Sequence, residues 1–143
     1  MAASANALGQ VGMSSSLKTG YAPVNGLKLY YELHGTGEPL ILLHGGLGSI
    51  EMLGELLPAL ARTRKVIAAD LQGHGRTGDI DRPITYEALG DDVAALMNSL
   101  GIEKADEMGY LLGAGTGLQN DYPAIRQLSE SSSWSQRSSK RDG

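Results

Sequence analysis

The chain predicts an α/β fold built on a mainly parallel sheet, and three observations carry that expectation. Segments of strand length recur at residues 39–44 (PLILLH), 65–70 (KVIAAD) and 104–110 (KADEMGY), the first a continuous apolar run. Two stretches of helical periodicity separate them. The connections between all of these are short. Strands buried on both faces read as continuous apolar runs, and strand–helix–strand alternation implies parallel pairing with helices on both faces of the sheet.

The elements follow in order. Residues 19–24 and 27–33 flank Asn25-Gly26, a pair that favours a type I′ hairpin turn. Residues 27–33 alternate apolar with polar or tyrosine, which predicts an antiparallel hairpin at the start of the sheet. The run 39–44 leads straight into Gly45-Gly46-Leu47-Gly48, a turn with exposed backbone amides. In 51–64, the residues Met52, Leu53, Leu56, Leu57, Leu60 and Ala61 recur with a helical period, and Pro58 marks a kink or restart. The strand 65–70 is followed by the glycine-rich loop 73–78. In 86–100, Leu89, Val93, Ala94, Leu96, Met97 and Leu100 fall largely on one helical face. The third parallel strand ends in Gly109-Tyr110-Leu111-Leu112-Gly113.

That pentapeptide has the frame G-x-S-x-G of a nucleophile elbow, with Leu111 at the serine position. The glycines suit a turn whose backbones leave no room for a β-carbon. A leucine side chain has no atom that attacks a carbonyl or passes a proton to histidine.

With His44-Gly45-Gly46, Asp70-Leu71-Gln72-Gly73-His74-Gly75 and the elbow in this order, the chain resembles the first half of an α/β-hydrolase. The resemblance covers about residues 19–119. It implies a partial α/β-hydrolase sheet, incomplete after the nucleophile strand. It also implies an oxyanion hole formed by the backbone amides of Gly46, or alternatively Leu47, and of Leu112. Relatives would hydrolyse small ester- or amide-type substrates by a Ser-Asp-His triad, in the chain order nucleophile, acid, histidine. Here His34, His44 and His74 all precede Leu111. Asp121, Glu130 and Asp142 are the carboxylates beyond the elbow, and no histidine follows them. The expectation is a truncated, catalytically inactive member. Loss of the nucleophile alone lowers turnover on the order of a million-fold, and loss of the other members adds little.

Other chemistry finds less support. His44, at a strand end, and His74, near Asp70, read as structural histidines. No cysteine, no His-x-x-x-His pair and no carboxylate cluster points to a metal, and no cofactor is expected. Residues 73–78 match G-x-G-x-x-G, but a dinucleotide fingerprint should follow the first strand and open directly into a helix. Here Asp81-Arg82-Pro83 intervenes, and the acids at the right offset, Asp91 and Asp92, lie inside the next helix.

The strand 104–110 carries Asp106 and Glu107 side by side, so one carboxylate faces an apolar layer, where an unpaired charge costs several kcal/mol. Asp106, near the strand's start, has the easier route to solvent. Gly115 and Gly117 in the helix after the elbow each cost up to ~1 kcal/mol relative to alanine, which predicts relaxed constraint there.

The expected division is a flexible N-terminus (1–18), the partial hydrolase domain (19–119) and a serine-rich tail (120–143) expected to be disordered. A reading frame shifted by one nucleotide would turn codons for a valine run into Ser-Ser-Trp, as at Ser132-Ser133-Trp134, and the coding DNA tests this. A flexible tail is the alternative. Ala5-Asn6-Ala7 fits a signal-peptide cleavage site without the basic and apolar segments that precede one. Residues 1–10 are thus either a signal-peptide remnant, with exported relatives, or a linker of small residues in a cytoplasmic protein. A net charge of −4 argues against a nucleic-acid partner, and no apolar run has the length of a membrane span. Two functional readings stand: a disabled hydrolase, or a non-enzymatic remnant that associates, with itself or another chain, through its open sheet edge or serine-rich tail.

Overall fold

The computed structural model describes residues 17–118, so the expectations for the N-terminal segment and the serine-rich tail lie outside the described residues. Its strands are β1 (Lys18–Val24), β2 (Leu27–His34), β3 (Glu38–Leu43), β4 (Arg64–Ala69) and β5 (Asp106–Gly109). They form one sheet in the order β1-β2-β4-β3-β5. Asn25 (φ 50°) and Gly26 (φ 82°) both take left-handed backbone, as a type I′ turn requires, and set Val24 opposite Leu27. β1–β2 and β2–β4 pair antiparallel, whereas β3 pairs parallel with β4 on one side and β5 on the other.

β4 and β5 flank β3, so the two crossovers run in opposite directions across the sheet. Right-handed crossovers of opposite direction place their helices on opposite faces. Side-chain alternation follows. Ile41, Leu43, Ile67 and Ala69 pack with Leu89, Val93, Leu96 and Met97 of helix α2 (Tyr86–Ser99). Leu40, Leu42, Val66 and Ala68 pack with Ile50, Leu53 and Leu57 on the other face. Two-sided burial is why Leu40–Leu43 of β3 and Val66–Ala69 of β4 are apolar without interruption.

The segment 51–64 is not one helix. A 3₁₀ turn, Ile50–Leu53, ends at Gly54 (φ 48°), and helix α1 spans only Leu56–Leu60. Pro58 lies in the first turn of α1, where its missing N–H has no acceptor within the helix to lose. The break therefore belongs to Gly54 and not to Pro58. α2 begins where the Thr85 side chain accepts from the Ala88 N–H at 3.1 Å. β5 is shorter than the 104–110 run, because Lys104 and Ala105 fall outside the pairing with β3. Helix α3 (Leu112–Leu118) follows the elbow.

Candidate active site at the strand–helix elbow

Tyr110 extends the β3 pairing by one bond, its N–H donating to Leu43 O at 3.1 Å. The chain then turns through Leu111, which takes φ 48° with its side chain 68% exposed. Left-handed backbone costs a leucine about 1–2 kcal/mol, so the surroundings must hold it. They do so through backbone groups. The Gly113 N–H reaches both Tyr110 O (3.0 Å) and His44 O (3.2 Å), and the Gly115 N–H donates to Leu111 O at 2.9 Å.

Glycines make this approach feasible. A β-carbon at Gly109 would collide with the Gly113 backbone, and one at Gly113 would sit 2.7 Å from Leu43 O. The same holds further along α3. Gly115 accepts the Tyr86 ring and Gly117 the Glu107 carboxylate, each too close for a methyl group. The low helix propensity of Gly115 and Gly117 thus stands beside close approaches by the ends of two side chains.

The structure brings the other two elbow positions together. A β-carbon on Gly46 would lie 4.0 Å from Leu112 Cβ, so the turn after β3 faces the start of α3. Leu112 is the first residue of α3, where an N–H has no partner within the helix. Leu47, the alternative position, has φ 62° and a fully exposed side chain. Tyr110 lays its ring against Gly45. Leu111, Gly46, Leu47 and Leu112 thus form one solvent-facing surface.

His44 is fully buried behind that surface. Its Nε2 accepts from the Leu71 N–H at 3.0 Å, which leaves Nδ1 as the protonated nitrogen donating to Gly45 O at 2.7 Å. Burial holds its pKa below the ordinary histidine value. Both ring nitrogens are occupied, so His44 is structural, as the sequence implies. His74 tilts against it at 5.1 Å between ring centroids and shares a hydrogen bond with Gln72 O.

Asp70 is also fully buried and accepts from the Ile50 N–H (2.8 Å) and the Arg76 N–H (2.9 Å). The loop 73–78 closes around it, with Gly75 (φ 52°) against the carboxylate. This explains the G-x-G-x-x-G spacing without a phosphate, and α2 starts only at Tyr86. A network that sequence reasoning missed lies beyond: Arg82 pairs with the buried Asp92 (2.7 Å), binds Gln72 Oε1 and leaves Asn25 to donate to Asp92 Oδ1 at 3.0 Å. The signal was available. Asp92 follows Leu89 by three residues and so sits on the apolar face of α2, where a carboxylate needs a partner.

Asp106 reaches solvent and pairs with Arg64 at 2.5 Å. Glu107 is 8% exposed, and neither carboxylate oxygen has a hydrogen-bond partner among the described residues. Desolvation pushes its pKa up to about 7. No group of three or more potential metal ligands occurs among the described residues, and no helix there is long and apolar enough to cross a membrane.

Known proteins share this fold. The alpha/beta hydrolase fold family matches residues 38–119. A soluble epoxide hydrolase of Corynebacterium sp. (strain C12) is 34% identical over 113 residues, 77% of this chain and 38% of that protein. The solved enol-lactonase of Burkholderia xenovorans LB400 superposes with a TM-score of 0.68 at 32% identity, covering 73% of this chain and 43% of that one. A proline iminopeptidase-related protein of Thermus thermophilus gives 0.70 at 30% identity, covering 76% and 42%. The chain thus spans about two fifths of the length of the relatives it matches. With the family's pattern over residues 38–119, the sheet of its members and a strand–helix elbow in place, the chain belongs to the alpha/beta hydrolase fold family.

Proposed function

We propose that this chain is an α/β-hydrolase portion whose elbow carries no nucleophile and which does not turn over esters or amides by a triad. One observation carries the reading: Leu111 occupies the strained, exposed turn from which a serine would attack. The fully engaged ring of His44 supports it, since that imidazole has no free nitrogen to serve as base. In this reading, the backbone amides of Gly46 (or Leu47) and Leu112 form an oxyanion hole that faces no attacking group. The relatives' substrates are small molecules of different kinds, an epoxide and an enol-lactone by their names, so the substrate class stays at that level.

Hydrolysis of p-nitrophenyl acetate tests the reading, with the chain compared against Leu111→Ser. Neither protein is expected to exceed the buffer rate, because the serine alone has no base beside it. Turnover by the unaltered chain would overturn the proposal.

A second reading, association through the sheet edge, is favoured by β5. Among the described residues it pairs only with β3, and Met108 and Tyr110 beside its edge are exposed. Sedimentation velocity from 1 to 100 μM, roughly the range over which weak self-association appears, is expected to show concentration-dependent growth. A monomer throughout would remove this reading.

A further inference from the structure

We infer that Glu107 is a proton-operated latch for α3: the helix that forms the far side of the elbow docks on β5 while this carboxyl is neutral, and loosens when it ionises. Glu107 pairs in register with Ile41, whose side chain lies on the α2 face, so Glu107 projects to that face. There it packs directly against Gly117 of α3, both oxygens enclosed and without partners among the described residues. A neutral carboxyl in such a place loses hydrogen bonds to water; an ionised one adds the far larger penalty of a desolvated charge.

Among the described residues, the surroundings offer no compensation. α3 (LGAGTGL) carries no titratable side chain. On β3 the neighbour is Ile41, and Glu38 stands exposed at the strand's other end. On α2, Tyr86 lies against Gly115, Glu87 and Asp91 are exposed, and Asp92 is already held by Arg82 and Asn25. On β5 itself, Asp106 lies in register with Leu40, whose side chain packs on the opposite face, and pairs with Arg64. Desolvation is accordingly the sole cause of the raised pKa of about 7.

α3 is the element that gives way. It is seven residues long with three glycines, and a helix so short and so poor in propensity is held by its packing. Lifting it rehydrates Glu107 and gives up the seat of Gly115 against the Tyr86 ring and the burial of Thr116, so the opening is an uphill equilibrium that ionisation of Glu107 eases. The sign follows from the raised pKa: docking is firm below the unfolded value near 4.5 and weakens as pH rises through about 7. Across that window the opening equilibrium grows by up to about tenfold per pH unit and then levels off.

The test is hydrogen exchange of the full chain from pH 5 to 8, corrected for intrinsic exchange rates. Protection of α3 amides is expected to fall by up to about tenfold per unit below pH 7 while α2 changes far less. Glu107→Gln, which cannot ionise, should flatten the α3 profile. Equal pH dependence in α2 and α3, or an unchanged α3 profile in the variant, would overturn the latch. If Glu107→Gln does not fold, carboxyl 13C titration of the unaltered protein decides: a midpoint near 7 supports the latch, and one near 4.5 sinks it.

Discussion

On the β4 side of the sheet, buried polar side chains hold the loops. His44, Asp70, Gln72 and Asp92 are all fully buried, and each has partners: Leu71 N–H, Ile50 and Arg76 N–H, Arg82, and Asn25. On the β5 side, closeness of backbone holds the elbow, through Gly109 and Gly113, and the buried carboxylate Glu107 has no partner among the described residues. One region depends on groups being present, the other on atoms being absent. Deletion should therefore damage the first and addition the second.

The largest effect is expected where deletion strands a charge. Arg82→Ala leaves Asp92 buried and unpaired, since Asn25 alone does not offset a carboxylate, and should cost about 3–5 kcal/mol in urea denaturation. A loss under about 1 kcal/mol would mean that water or another cation reaches Asp92, and the contrast between the regions would weaken.

Addition comes next. Gly109→Ala places a methyl group into the Gly113 backbone and should cost about 2–3 kcal/mol by overpacking, whereas Gly78→Ala, with nothing within 4 Å, should change stability by less than about 0.5 kcal/mol. Equal effects at the two sites would contradict the claim that the elbow is held by close approach.

The smallest effect concerns the strained turn itself. Leu111→Gly removes the left-handed penalty while losing little packing from a side chain that is 68% exposed. The more flexible unfolded chain offsets part of that gain, so a net rise of about 0.5–1 kcal/mol in the same denaturation assay is expected. A fall would show that the Leu111 side chain contributes to holding the turn.

The same contrast explains how much was legible in the sequence. β3, β4 and α2 read correctly because burial on both faces, or a single apolar helical stripe, leaves a periodic trace. The hairpin read correctly because Asn25-Gly26 is one of few pairs that suits its turn. The strand–helix turn at Leu111 was legible from its glycine frame, which marks close backbone approach whatever residue stands between the glycines. The segment 51–64 misled because Gly54 interrupts a pattern of apolar residues that a 3₁₀ turn and a short helix satisfy equally well. Gly115 and Gly117 carried less information for a different reason. A glycine in a helix looks like a weakness until the Tyr86 ring and the Glu107 carboxylate are seen against it, and such long-range closeness has no local signature. Asp92 was readable in principle, but its partner Arg82 sits in a loop, where sequence periodicity says nothing about direction.

The turn at residue 111 is fixed by the close approach at Gly109 and Gly113 and by the hydrogen bonds that the Gly113 and Gly115 N–H groups donate to the carbonyls of Tyr110, His44 and Leu111. None of these uses the side chain at position 111. A lineage can therefore exchange that residue by a single codon change and inherit the backbone intact. The residue at the turn and the backbone that presents it become separately heritable: one can change without the architecture passing through an unfolded ancestor.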